Sequence, residues 1–147
     1  MQNTTNSLMH SARIACQESG WKLNRSKLNK ILYLSQIYSI KKLGRNAIDC
    51  VFHSTDFGPL IIILDERISY HGINPIKYIN FHQEILKSNN NAERIIQEAT
   101  QILMNESTGF LVYLTQNEKG GWAKNYQPGF KTKIQYEDMV EEAEILF

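Results

Sequence analysis

Several things are scarce in this chain. It has two cysteines, Cys16 and Cys50, far apart and in no Cys-x-x-Cys spacing. They read as buried, reduced thiols of a cytosolic protein, ahead of a disulfide. No apolar run approaches the roughly 18 residues that a membrane span needs. The N-terminal Met-Gln-Asn-Thr-Thr-Asn-Ser stretch is polar, unlike a signal peptide. The expectation is a soluble, cytoplasmic protein. Charge of one sign is also missing: 16 Lys plus Arg stand against 15 Asp plus Glu, a formal net charge of +1. That balance argues against a protein whose main business is coating phosphate backbones. There are no internal repeats.

What is present is an ordinary globular balance, 42% apolar and 21% charged, over 147 residues. That is enough chain for one domain, 1–147, with a real core. The chain is organised around Leu23 to Gln36. Asn24 and Ser26 are good helix N-caps, because their side-chain oxygens accept orphan backbone N–H groups. Beyond them Leu28, Ile31, Leu32, Tyr33, Leu34, Ile37, Tyr38, Ile40 and Leu43 are apolar. The run Ile31 to Leu34 covers every side of a helical wheel, the mark of a helix buried on most faces. Lys41 and Lys42 suit its negative end and Gly44 its C′ position. The sequence predicts a central helix over about Ser26–Leu43, in a mainly α, compact single-domain helical bundle around it, with room for one short strand or hairpin.

Around it, Ser7 caps a first helix ending near Ser19 and stopped by Gly20, with Leu8, Ala12, Ala15 and Cys16 inward and Trp21 at the junction. Asn46–His53 alternates weakly, as a short strand does. Asp56-Phe57-Gly58-Pro59 is a turn, with Pro59 available to open a helix over Leu60–Tyr70 that Gly72 ends. The β-branched run Ile61-Ile62-Ile63 suits a strand equally. Ile73 to Phe81 reads as a loop packed down by Ile76, Tyr78 and Phe81. Asn89-Asn90-Asn91 resembles a linker before a helix from Ala92 to about Asn105. Ser107-Thr108 caps a short helix through Phe110, Leu111 and Leu114. Gly120-Gly121 breaks the chain before Trp122, and after Pro128-Gly129 a last helix runs over Gln135–Leu146.

Chemistry-bearing motifs are weak. Asp56-Phe57-Gly58 spells the kinase magnesium motif without any other kinase signature. His71 and His82 lack further ligands at zinc spacing. Cys50, His53 and Asp56 are close in sequence, but working triads are assembled in space. No metal and no cofactor is expected, and a small hydrolase using His53 or Cys50 ranks last. The basic residues Lys22, Arg25, Lys27, Lys30, Lys41, Lys42 and Arg45 read as a solvated rim around the central helix; the alternative is a nucleic-acid-binding edge. The acidic tail Glu137, Asp138, Glu141, Glu142 and Glu144 opposes them, a dipolar surface suited to a charge-complementary protein partner.

Three blocks of residues resemble the Panacea domain, the SocA-like antitoxin family that includes the phage-associated protein GepA. Leu28, Lys30, Ile31, Leu32, Tyr33 and Gln36 are similar to its Leu-x-Lys-Leu-Leu-Tyr-x-x-Gln helix. Phe57-Gly58-Pro59-Leu60 is similar to its aromatic-Gly-Pro-Val turn, followed by a helix ending at Tyr70-His71-Gly72. Leu114-Thr115, Trp122, Ile134 and Glu137 are similar to its Leu-Thr-His, Pro-Trp and Ile-x-x-Glu segments. The chain departs from the family at Thr55, where an aromatic is usual, at Gln116 for its histidine, and at Gly121 for its proline. The resemblance implies a bacterial or phage-borne antitoxin that binds a protein toxin encoded nearby, or an adaptor that delivers a toxin to a protease. It implies no enzyme activity. The expected partner-binding residues are Tyr33, Phe57, Trp122 and Tyr126 as anchors, with Gly58 and Pro59 shaping the loop; Tyr33 and Trp122 suit the core as well.

Overall fold

Gly20 ends the first helix as its residue type suggests, and Ser7 stands at the N-cap position without the side-chain cap hydrogen bond expected of it, in a computed structural model that describes residues 5–77 and 89–146. A two-residue strand, β1 (Asn6–Ser7), leads into α1 (Leu8–Glu18). The helix closes in a Schellman arrangement: the Gly20 N–H donates to the Gln17 carbonyl at 3.0 Å and the Trp21 N–H to that of Cys16 at 2.8 Å. Trp21 itself sits at φ +60°, rare for a bulky residue, with its ring packed against the core.

The central helix is α2 (Arg25–Leu43). The Asn24 side chain accepts the Lys27 N–H at 2.9 Å, and Gly44, at φ +72°, donates its N–H to Ile40. Both ends lie where cap chemistry puts them. There follow β2 (Ile48–Asp49), β3 (His53–Thr55), β4 (Gly58–Leu60), α3 (Ile62–Ile68) and a 3₁₀ turn (Ser69–His71). Then come α4 (Asn90–Leu103), α5 (Thr108–Thr115), α6 (Gly121–Asn125), β5 (Thr132–Lys133) and α7 (Tyr136–Leu146). The protein is mainly α, with seven α-helices among the described residues. No helix among them is long and apolar enough to cross a membrane.

Every residue from Leu28 to Ile37 is buried. α1, α4, α5, α7 and the β3–β4 hairpin all pack against α2. Burying each Leu or Ile there contributes about 1.5–3 kcal/mol, so the helix is the centre of the core. The strands are short: β1 pairs with β2 in parallel, and β3 lies between β4 and β5, antiparallel to both.

Five expectations need correction. In place of one short strand or hairpin, the described residues hold five short strands in two sheets. Pro59 does not open a helix. It lies in the edge strand β4 opposite Ser54, where a residue without an N–H costs no ladder bond on the open side, and α3 begins only at Ile62. Asn89-Asn90-Asn91 is no linker: the Asn89 side chain accepts the N–H groups of Asn91 and Ala92, and α4 begins there. Gly120-Gly121 does not simply break the chain, since Gly121 opens α6. Lys30 is not part of a solvated rim but is buried. In the Ile73–Phe81 loop Ile76 is buried; Tyr78 and Phe81, like His82, lie outside the described residues.

Candidate functional site

The β3–β4 hairpin has a two-residue tip, Asp56-Phe57, closed by Thr55. The Thr55 hydroxyl accepts the Phe57 N–H at 3.0 Å and donates to the Gly58 carbonyl at 2.9 Å. Gly58 takes φ +96°, which L side chains rarely adopt, and a Cβ there would press on Gln116 at 3.0 Å. The tip is thereby fixed, and the Phe57 ring stands out from it 77% exposed.

α6 lies beside this tip and is tied to it. The Trp122 indole N–H donates to the Thr55 carbonyl at 2.8 Å, and the Ser54 hydroxyl to the Trp122 carbonyl at 2.9 Å. Trp122 and Tyr126 stack with ring centroids 4.4 Å apart and planes 20° from parallel. The Tyr126 hydroxyl then donates to Asp56 at 2.6 Å, and the Gly129 N–H to the same carboxylate oxygen at 3.0 Å. Those two donors hold the Asp56 carboxyl below its ordinary pKa, and the Tyr126 phenol is raised in return. The loop locked by Gly129 carries a further exposed aromatic, Phe130.

Tyr33 is not on this surface. It is fully buried, so the expectation of a contact anchor there is corrected: its hydroxyl donates to Glu142 at 2.5 Å and its ring meets Phe52 edge-on at 5.1 Å. The role it has is positional. The Glu142 carboxylate, buried with it, also accepts the Gly121 N–H at 2.8 Å and the Asn117 amide at 3.2 Å. Burial raises the Glu142 pKa despite these donors, and desolvation pushes the Tyr33 phenol well up. This node pins the start of α6. A Cβ on Gly121 would lie 2.8 Å from both Ile134 and the Tyr33 hydroxyl, and one on Gly120 2.9 Å from the Glu142 carboxylate. The two glycines are there because the polar node comes so close.

Gly58 and Pro59 are buried and shape the hairpin, so of the expected residues Phe57, Gly58, Pro59, Trp122 and Tyr126 come together at one edge. Phe130 was missed. An aromatic directly after Pro-Gly was its signal in the sequence.

The basic residues of α2 are largely engaged. Arg25 forms a bidentate pair with Asp65, at 3.1 Å and 2.6 Å, Lys41 pairs with Glu144 at 3.2 Å, and Lys42 reaches the Tyr38 hydroxyl at 3.3 Å. Lys30 donates to the Ser26 hydroxyl at 3.0 Å and to the Phe57 carbonyl at 3.5 Å. The Cys50, His53 and Asp56 set has a different use: Asp56 is held by Tyr126, and burial drives the Cys50 pKa far up, so the sulfur stays a thiol. Among the described residues no group of three His, Cys, Asp or Glu could hold a metal ion.

No protein-family model matches this chain, and no curated protein or solved structure does either.

Proposed function

We propose that this protein is an antitoxin-like interaction domain. It is a compact, single-domain, cytoplasmic helical frame that neutralises a toxin encoded beside it by covering the toxin's working surface, or that delivers such a toxin to a protease. The observation that carries this reading is the fixed aromatic edge at the hairpin tip. Phe57 projects from a turn locked by Thr55, beside a Trp122–Tyr126 stack hydrogen-bonded to that same turn. Aromatic side chains already held in place give up little freedom on binding, which is how a few residues come to dominate an interface. The likeness of three sequence blocks to the Panacea domain supports the same reading.

A standard protein–protein interface buries about 1,600 Å² in total. The hairpin tip alone is smaller than that, so Phe130 and the exposed face around α6 belong to the same contact. The nucleic-acid reading has less to rest on, because Arg25 and Lys41 are paired and Lys30 is buried. Retention on DNA or RNA that falls steeply with salt would revive it.

The test is co-expression with the product of the neighbouring gene. The expected result is rescue from that product's toxicity and recovery of a complex. Neither rescue nor complex would discard the proposal.

A further inference from the structure

Beneath the hairpin tip is a cleft of about 280 Å³, lined by Arg25, Ser26, Lys30, Phe57, Leu60 and Asp65. Its charges do not cancel. Arg25 and Asp65 neutralise one another, and Asn29 also donates to Asp65 at 3.2 Å. Lys30 is left over. It is 4% exposed, and its hydrogen-bond acceptors among the described residues are the neutral Ser26 hydroxyl and the distant Phe57 carbonyl. A buried ammonium is normally paired with an anion, since desolvating a charge costs several kcal/mol that neutral acceptors offset only in part. Here that place is open to the cleft.

We propose that this cleft binds a monocarboxylate with an apolar body, its carboxylate on the Lys30 ammonium and its body between Phe57 and Leu60. The charge sum selects the head group. One surplus positive charge next to the Asp65 carboxylate matches a monoanion and disfavours a phosphate dianion, which Asp65 would repel. The lining selects the rest: Phe57 and Leu60 are its apolar residues, at the mouth and the wall, where a small anion alone would gain nothing. The cleft is at the small end of ligand pockets, which run to about 300–1,000 Å³, so it suits one side chain or a small organic acid. An acidic side chain of a partner protein and a free acid share this chemistry. The proposal stands whether or not the partner is a toxin.

The experiment follows the backbone amide resonances of Phe57 and Leu60 in the full chain during titration. Hydrocinnamate should shift both to saturation. Hydrocinnamide, the same body without the charge, should bind about tenfold more weakly, as should hydrocinnamate to Lys30→Met, in keeping with the strength of a charged hydrogen bond. Inorganic phosphate should bind more weakly than hydrocinnamate. Equal binding of acid and amide by the wild-type chain, no saturable shift with the acid, or tighter binding of phosphate overturns the proposal, and none of these depends on the variant folding. A capped Leu-Glu-Phe peptide that binds more tightly than hydrocinnamate supports the site and assigns its ligand to a protein side chain. The reverse order supports it with a small organic acid as the ligand.

Discussion

The two sides of α2 are differently built. On one, Leu34 and Tyr38 meet Ala99 and Leu103 around an apolar groove of about 260 Å³, and the packing is almost wholly hydrocarbon. On the other, Asn29, Tyr33 and Gln36 recur at helical spacing with Lys30 beside them, all buried and all hydrogen-bonded. Asn29 accepts the Ile61 N–H at 3.1 Å. Gln36 accepts the N–H groups of Ala47 and Ile48 and donates to the Ile48 carbonyl at 2.9 Å. Tyr33, through Glu142, holds Gly121. The targets on this side are backbone groups of short strands, helix starts and the segments that join them. Hydrocarbon on the first side supplies stability and is indifferent to detail; the polar side fixes where loops and short elements sit, and so sets the aromatic edge at their far end.

The contrast can be broken first on the apolar side. Ile31→Ala, at a fully buried position, should lower stability by about 2–5 kcal/mol, seen as a lower urea midpoint at unchanged slope. A loss below about 1 kcal/mol would mean that the site collapses and that the core is looser than its burial indicates. On the polar side, Glu142→Leu strands the Tyr33 hydroxyl and the Gly121 N–H. Each orphaned donor costs about 1–3 kcal/mol, and the Gly121 amide should lose its protection from hydrogen exchange while the α4 amides keep theirs.

A finer probe is pH. The Glu142 pKa is raised above its ordinary 4.5, chiefly by burial. A carboxyl that holds its proton more tightly in the folded chain stabilises the fold most at low pH. That contribution declines as pH rises from 4.5 through the raised value and then levels off. Glu142→Gln has no such proton. The stability of the wild type relative to this variant should therefore fall with pH over that window. A rise would mean that the hydrogen bonds to the carboxylate outweigh its desolvation. Smallest of all is Tyr126→Phe at the exposed edge. The melting temperature should stay put, while the Asp56 pKa climbs toward its ordinary 3.8 as one of its two donors is lost. Carboxyl resonances followed against pH would show it; an unmoved Asp56 would leave Gly129 as the whole cause.

Sequence patterns reached some of these features and missed others for identifiable reasons. The limits of α2 and α7 were legible because caps and periodicity are local: Asn24, Gly44 and the acids Glu137 and Asp138 act within a turn of their own positions. The burial of Ile31 to Leu34 was legible too, since no helix in water leaves four adjacent apolar residues in place without cover. By its sequence neighbours Lys30 belongs to a solvated basic rim; what buries it is a hairpin 27 residues further on. Proline locally favours a helix start, and at Pro59 pairing with β3 overrides that preference. The Gly120-Gly121 pair signalled a break, yet its cause is a carboxylate from α7, a contact no local window contains.

The central claim is that α2 and its polar side hold an exposed aromatic edge whose work is binding and not folding. Phe57→Ala tests it most directly, with the urea midpoint and the complex with the neighbouring gene's product measured on the same preparation. The account predicts an unchanged midpoint, since the ring is 77% exposed, together with loss of the complex. A complex of undiminished affinity would contradict it.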